Sequence, residues 1–366
     1  MKRVKVDIPF LISVVILVVA GYLIFASASL GLLSTQASKY ANIAFKQTFF
    51  GLFLGSVACL IASHVDYKIY RTYSFIIFVF SIIITLLVFV PGLGISHGGA
   101  QRWIYIGTLS FQPSELLKIG FIMFFSAWIA KYKDKVQTFK HGFLPFIVLS
   151  CIVGAILLSQ PDTDTFIIVM FAGLAVFLAG GGRWKYIFIS GMIGLLCLAF
   201  LAFTKPYVMS RINTFINPSA NALSSGYQIQ QSLIAIGSGG LSGRGFGQSI
   251  QKFNFLPEPI VDSIFAVAGE EFGFIGTAGI ILLFLFFAFR GMKIASRVPD
   301  VFGRLLVLGI VILIVSQAFV NMGAMVGILP LSGITLPFIS HGGTALFMTL
   351  AEVGIILNIS KSKKRS

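Results

Sequence analysis

The chain is short of charge. Of its 366 residues only 11% are Asp, Glu, Lys or Arg, and just twelve are acidic. Hydrophobic residues make up 57%, and the mean hydropathy is +0.96. A soluble domain of this length could not hide so much apolar surface, so that class is excluded. Cysteine is scarce too. Cys59, Cys151 and Cys197 stand far apart in apolar runs. That spacing excludes a disulfide framework or a thiolate metal site, and reads as three small core residues. No repeat at solenoid periods is present. Long polar stretches are almost absent, with one exception at about Thr204 to Asp262.

What remains is a series of apolar runs. Ten are long enough to cross about 30 Å of hydrocarbon as helices: Ile8–Ser29, Ala44–Ser63, Thr72–Val90, Ser114–Ala130, Phe143–Ser159, Thr165–Ala179, Trp184–Phe203, Ser263–Phe289, Gly303–Met325 and Gly342–Ile359. Lipid offers no partner to a backbone amide, so each run must satisfy its own hydrogen bonds, and a helix does so. The expected fold is an all-α polytopic membrane protein in one domain spanning 1–366. Lys2 to Lys5, the first run and Ala26-Ser27-Ala28 have the outline of a cleaved leader. The run is longer than such leaders carry and nine more follow, so an uncleaved first helix is expected.

The net charge of +15 invites a nucleic-acid reading, but its distribution argues against that partner. With both termini in the cytoplasm, 19 Lys and Arg fall on the inner side and 7 on the outer. This is the positive-inside bias, and it turns the long loop of residues 204–262 outward. Asp7, Asp66, Asp134 and Asp300 lie inside, whereas the other eight acids lie in outer loops or within spans. Carboxylates there are costly and are candidates for function.

Two outer segments stand out. Gly92–Gln112 alternates polar and aromatic residues around Gln101-Arg102-Trp103-Ile104-Tyr105, as an interfacial segment would. The long loop carries Gly237, Gly239, Gly240, Gly243, Gly245 and Gly247. That density means tight turns, or backbone that approaches something closely. Gly243-x-Gly245-x-Gly247 lacks the spacing and the βα context of a dinucleotide loop.

Asp262 follows Pro257-Glu258-Pro259, which cannot continue a helix, and precedes the eighth run. Apolar surroundings at such a boundary raise a carboxylate toward a useful base. It would equally suit a helix N-cap. Of the acids deeper in the run, Glu270 could share a face with Asp262, while Glu271 would lie opposite. Glu115 and Lys118 share a helix face and read as a structural ion pair or a catalytic pair. Arg102, Arg211 and Lys252 are candidates to hold an anionic ligand, or are interfacial anchors. Gln317, Asn321 and Glu352 read as polar groups bonding between helices.

Taken in order, the motifs resemble the SEDS family, the FtsW and RodA polytopic proteins of bacterial cell-wall synthesis. The motifs are Ala26-Ser27-Ala28-Ser29; Gly99-Ala100-Gln101-Arg102-Trp103; Phe111-Gln112-Pro113-Ser114-Glu115 with Lys118; Gln160-Pro161-Asp162; and Tyr227-Gln228. Later come Leu256-Pro257-Glu258 with Asp262; Glu270-Glu271 with Gly273; and Pro337-Phe338-x-Ser340 with Gly342-Gly343. The run from Gly247 to Lys252 into Leu256 is more similar to the FtsW division branch.

The resemblance implies a peptidoglycan glycosyltransferase that polymerises lipid II at the outer face of the bacterial cytoplasmic membrane. Asp262 would be its catalytic carboxylate. Gln228 and Glu258 would join Arg102, Arg211 and Lys252 at the substrate, with Glu115, Lys118 and Glu270 in support. It further implies a divalent cation, Mg or Mn, with no site assigned. Implied partners are a class B penicillin-binding protein and other divisome membrane proteins, and the implied place is the septum. A lipid II flippase or transporter, a RodA-type elongation polymerase and a recruiting scaffold are the alternatives. The chain departs from the family where Asp164 replaces Gly and where His341 replaces Tyr.

Overall fold

The structure, a computed structural model, describes residues 6–35, 37–97, 100–106, 109–218 and 225–362. Gly98, Gly99 and Gly107 of the first outer segment lie outside the described residues, as do Lys2, Arg3, Lys5, Lys363, Lys364 and Arg365. Among the described residues nine helices are long and apolar enough to cross a membrane. They are α1 (Ile8–Thr35), α2 (Ala37–His64), α3 (Tyr67–Phe89), α4 (Pro113–Lys131), α5 (Phe139–Ser159), α7 (Trp184–Thr204), α10 (Ile264–Arg297), α11 (Val301–Met325) and α12 (Gly343–Ser360). The sixth run forms α6 (Thr163–Ala179), whose 17 residues sit at the short end of the spanning range. The chain order matches the ten expected spans.

The core centres on α11, which packs against α10, α6 and α4, while α12 packs on the end of α2. Helix α7 stands apart. Only its Tyr186 is buried, and its main neighbour is the short α8 (Pro206–Ile216). Cys151 and Cys197 are exposed and Cys59 is half-buried, so these cysteines are not the core residues their apolar neighbours implied.

Both outer segments are more ordered than expected. The described residues within 94–111 form an antiparallel sheet of β1 (Gly94–His97), β2 (Ala100–Ile106) and β3 (Leu109–Phe111), in that order. The polar–aromatic alternation was the period of a strand. The long loop carries α8 and α9 (Ser225–Ser238) before an irregular stretch leads into α10.

Helix α10 decides how that stretch sits. An unbroken helix of 34 residues would be about 51 Å long, well beyond the hydrocarbon core. It breaks at Gly273, which has φ 65°. The break frees backbone groups that lipid could not satisfy. The Gly-rich loop satisfies them. Arg244 and Gly245 donate their amides to the Glu270 and Glu271 carbonyls, both at 3.0 Å. Phe274 and Ile275 donate back to the carbonyls of Gly240 and Leu241 at 2.9 and 3.1 Å. A Cβ at Gly273 would collide with the Gly243 amide nitrogen, and one at Gly243 with the Glu271 carbonyl. The nine residues before the break are therefore protein-enclosed, and the membrane span starts after it.

Charge locks the same contact. Lys252 is fully buried, and its ammonium donates to Glu271 Oε1 (2.8 Å), Ser27 Oγ (3.0 Å) and the Gly247 carbonyl (2.9 Å). An ammonium has three donors and all are used, so Lys252 is not the substrate cation expected of it. Glu270 does not reach Asp262. It turns to the loop and accepts from Ser249 Oγ (2.6 Å), Ile250 N (3.0 Å) and Gln251 N (3.2 Å). Replacing Lys252 by Met leaves Glu271 buried without its cation. Thermal melting in detergent should show a loss of about 3–5 kcal/mol, mostly recovered in the Lys252→Met/Glu271→Gln double variant. An unchanged single variant would refute the lock.

Candidate active site

A cavity of about 610 Å³ opens on the side that the charge bias turns outward. Its wall draws on α2 (Lys46, Phe50), β2 (Arg102, Trp103, Tyr105), the approach to α10 (Glu258, Val261, Asp262) and the segment leading into α12 (Thr335, His341, Gly342). Residues from α2, the sheet, the long loop and the segment before α12 meet here.

Asp262 is placed by its backbone. Three consecutive carbonyls are clamped by other elements. Ile260 O accepts from His341 N at 2.7 Å, Val261 O accepts from Ser340 Oγ, and Asp262 O accepts from Asn321 Nδ2 at 2.8 Å. Ser263, not Asp262, holds the N-cap position of α10, so the capping alternative falls away. Just upstream, Glu258 has φ 47° and its carbonyl accepts from Val261 N and Ser263 N at 3.1 and 3.3 Å. This left-handed turn leaves the Glu258 side chain exposed at the cavity rim.

The Asp262 carboxylate is half-buried, and Gln228 Nε2 donates to its Oδ2 at 3.2 Å. Gln228 comes from α9, and its amide also reaches Ser263 Oγ at 3.0 Å. Among the described residues no cation pairs with Asp262. Desolvation raises its carboxyl from the ordinary value to about 6, offset in part by the Gln228 hydrogen bond and reinforced by the charge of Glu258.

The expected cations divide. Arg102 lines the cavity, held by the Gln160 and Pro161 carbonyls and by Asp162 at 3.6 Å. Arg211 is committed to Asp164 at 2.6 Å and does not line the cavity. Asp164 thus removes Arg211 from the substrate candidates, just as Glu271 removes Lys252. Lys46, which sequence reasoning passed over, lines the cavity without an acid partner among the described residues. Glu115 and Lys118 form a buried ion pair of 2.8 Å, and Lys118 also donates to Gln317 at 2.7 Å. Gln317 donates in turn to the Thr335 carbonyl in the cavity wall. This pair braces the wall from below.

Gln47 was also missed. It is buried on a π-helical stretch of α2, Lys46–Leu54, the kind of bulge that often marks a functional site. Its amide ties α2 to Ser340 and Gly342. The available signal was a polar amide inside an apolar run.

The model of the FtsW/RodA/SpoVE cell cycle protein family matches residues 8–365. The chain belongs to this family. The Geobacter sp. (strain M18) protein named probable peptidoglycan glycosyltransferase FtsW is 38% identical over 98% of each chain. Stage V sporulation protein E of Bacillus subtilis (strain 168) is 36% identical, again over 98% of each. Among solved structures, one described as the structural coordination of polymerization and crosslinking by a peptidoglycan synthase complex matches with TM-score 0.77 and 25% identity. It covers 95% of this chain and 96% of the other. The rod shape determining protein RodA of Thermus thermophilus matches with TM-score 0.68 and 26% identity, over 96% and 97%. The FtsW/RodA/SpoVE fold therefore runs through the whole described bundle.

Ionisation of Asp262 can be read from its carboxylate infrared band, as the difference between wild type and Asp262→Asn. Half-ionisation is expected near pH 6. The Gln228 bond favours the charged form, so Gln228→Leu should move the midpoint to higher pH. A shift to lower pH would contradict this account of the site.

Proposed function

We propose that this chain is a peptidoglycan glycosyltransferase that polymerises lipid II at the outer face of the cytoplasmic membrane. One observation carries the reading. Asp262 is a carboxylate with no cation paired to it among the described residues, poised near pH 6, in the wall of a cavity that also holds Lys46 and Arg102. At neutral pH it is largely ionised and can take a proton. It removes the proton of the acceptor sugar hydroxyl as that oxygen bonds to the anomeric carbon of the donor. The anomeric carbon–oxygen bond to pyrophosphate breaks, and undecaprenyl pyrophosphate leaves with the electron pair. Lys46 and Arg102 offset the charge that gathers on the pyrophosphate.

Among the described residues no three metal-ligating side chains cluster. A hard divalent cation needs fewer from the protein, since phosphate oxygens and water complete its shell. Glu258, exposed at the cavity rim, would be one such ligand, and Mg or Mn held there would neutralise the leaving pyrophosphate. A class B penicillin-binding protein as partner is supported by the likeness to a synthase complex that couples polymerization to crosslinking. The FtsW and sporulation names among the relatives favour a septal role with other divisome proteins over a RodA-type one. A translocation path is disfavoured because Glu115, Lys118 and Glu270, three of the four charges it would use, have fixed partners, while the fourth, Glu352, is buried in α12 with no ion pair among the described residues.

The test is polymerisation of purified lipid II by the chain co-purified with its partner. Asp262→Ala should lower the rate by about 10²–10⁴-fold, the usual worth of a general base. Unchanged polymer would sink the assignment. Lipid movement lost along with polymerisation would revive the flippase.

A further inference from the structure

His341 faces the same cavity as Asp262, and its hydrogen bonds determine which nitrogen carries its proton. Its ring stacks on Phe25, with centroids 5.7 Å apart and planes 24° apart. Its Nδ1 lies 3.2 Å from Gln47 Oε1. The Gln47 amide cannot be turned round. Its Nε2 donates to the Ser340 carbonyl at 3.2 Å, and its Oε1 accepts from the Gly342 amide at 3.1 Å. A carbonyl can only accept and a backbone amide can only donate, so the oxygen must be the atom facing His341. Nδ1 opposite that oxygen therefore bears the hydrogen. The ring is also kept neutral. Burial lowers it from its ordinary value to about 4, and the Lys46 cation adds to this. A neutral imidazole protonated at Nδ1 has a bare lone pair on Nε2. Among the described residues no group hydrogen-bonds that nitrogen.

We infer that His341 Nε2 is a hydrogen-bond acceptor for the substrate, taking a hydroxyl or amide N–H from a saccharide bound against Asp262. The inference rests on the glycosyltransferase reading and names a contact within that site. The cavity then offers two acceptors on one wall, a carboxylate that takes a proton and an imidazole that only orients. Gln47 is a positioning residue, because it acts through the ring. The Nδ1-protonated imidazole presents an acceptor, so this site favours a donor group on its ligand.

Two replacements separate this role from a structural one. Gln places its amide near the site of Nε2, whereas Asn places it near Nδ1. If Nε2 binds substrate, His341→Gln should keep the KM for lipid II within about threefold of wild type. His341→Asn should keep the Gln47 bond yet raise KM about tenfold, the value of one lost hydrogen bond, with kcat less affected. The reverse order, equal damage in both or no effect in either would overturn the inference and leave His341 structural. ¹⁵N NMR of histidine-labelled wild type gives a second readout that needs no variant to fold. The His341 resonances should show Nδ1 protonated and Nε2 bare at pH 7, with Nε2 shifting when lipid II is added. A protonated Nε2, or one indifferent to lipid II, would also overturn it. Wild type and Asp262→Ala are assayed alongside. Failure of the wild type to polymerise would count against the glycosyltransferase itself, whereas failure confined to the His341 results would not.

Discussion

The outer half of the molecule depends on an exchange of hydrogen bonds at the break in α10. A helix cannot be interrupted in lipid unless its freed carbonyls and amides find partners. Here the Gly-rich loop supplies them, two in each direction around Gly273. The loop can come that close because Gly243 and Gly273 have no side chains to keep the backbones apart. Beneath the exchange, Glu271 holds Lys252 and Ser27, and Glu270 holds Ser249 and two loop amides. A long polar segment is thereby welded to α1 and α10, and its last residues, Glu258 to Asp262, arrive at a defined place.

Several charges on this side are held in ion pairs, and Asp262 is not. Asp162 sits beside Arg102, Asp164 has Arg211, Glu115 has Lys118, and Glu271 has Lys252. Each pair removes the cost of an isolated charge in a poor solvent. Asp262 gets amides and a hydroxyl instead of a cation, which offset its desolvation only in part, and its carboxyl rises. The same economy makes His341 neutral. A site that binds a large anionic, hydroxyl-rich ligand needs such groups held ready without being neutralised by their own neighbours.

Much of this was legible in the chain. The ten spans followed from hydropathy and length, and the facing of the long loop from the distribution of Lys and Arg. Asp262 could be singled out because a carboxylate between a Pro-x-Pro turn and an apolar run is costly. The fates of Lys252 and Arg211 could not be read. Their partners lie 225, 19 and 47 residues away along the chain, and no spacing rule links them. The helical wheel set Glu270 toward Asp262 and Glu271 away. Glu270 does not meet Asp262, because Asp262 precedes the helix and the loop wraps both acids.

The sequence by itself determined a membrane bundle, pointed its long loop outward and singled out the carboxylate proposed as its base, since these depend on transfer free energies summed over short windows. Only the tertiary structure decided which cations face the cavity, which are locked in ion pairs, and which nitrogen of His341 is bare. Those outcomes hang on single contacts between segments far apart in the chain. A shift of one hydrogen bond there, from Gln47 or from Asp164, would change them without altering hydropathy at all.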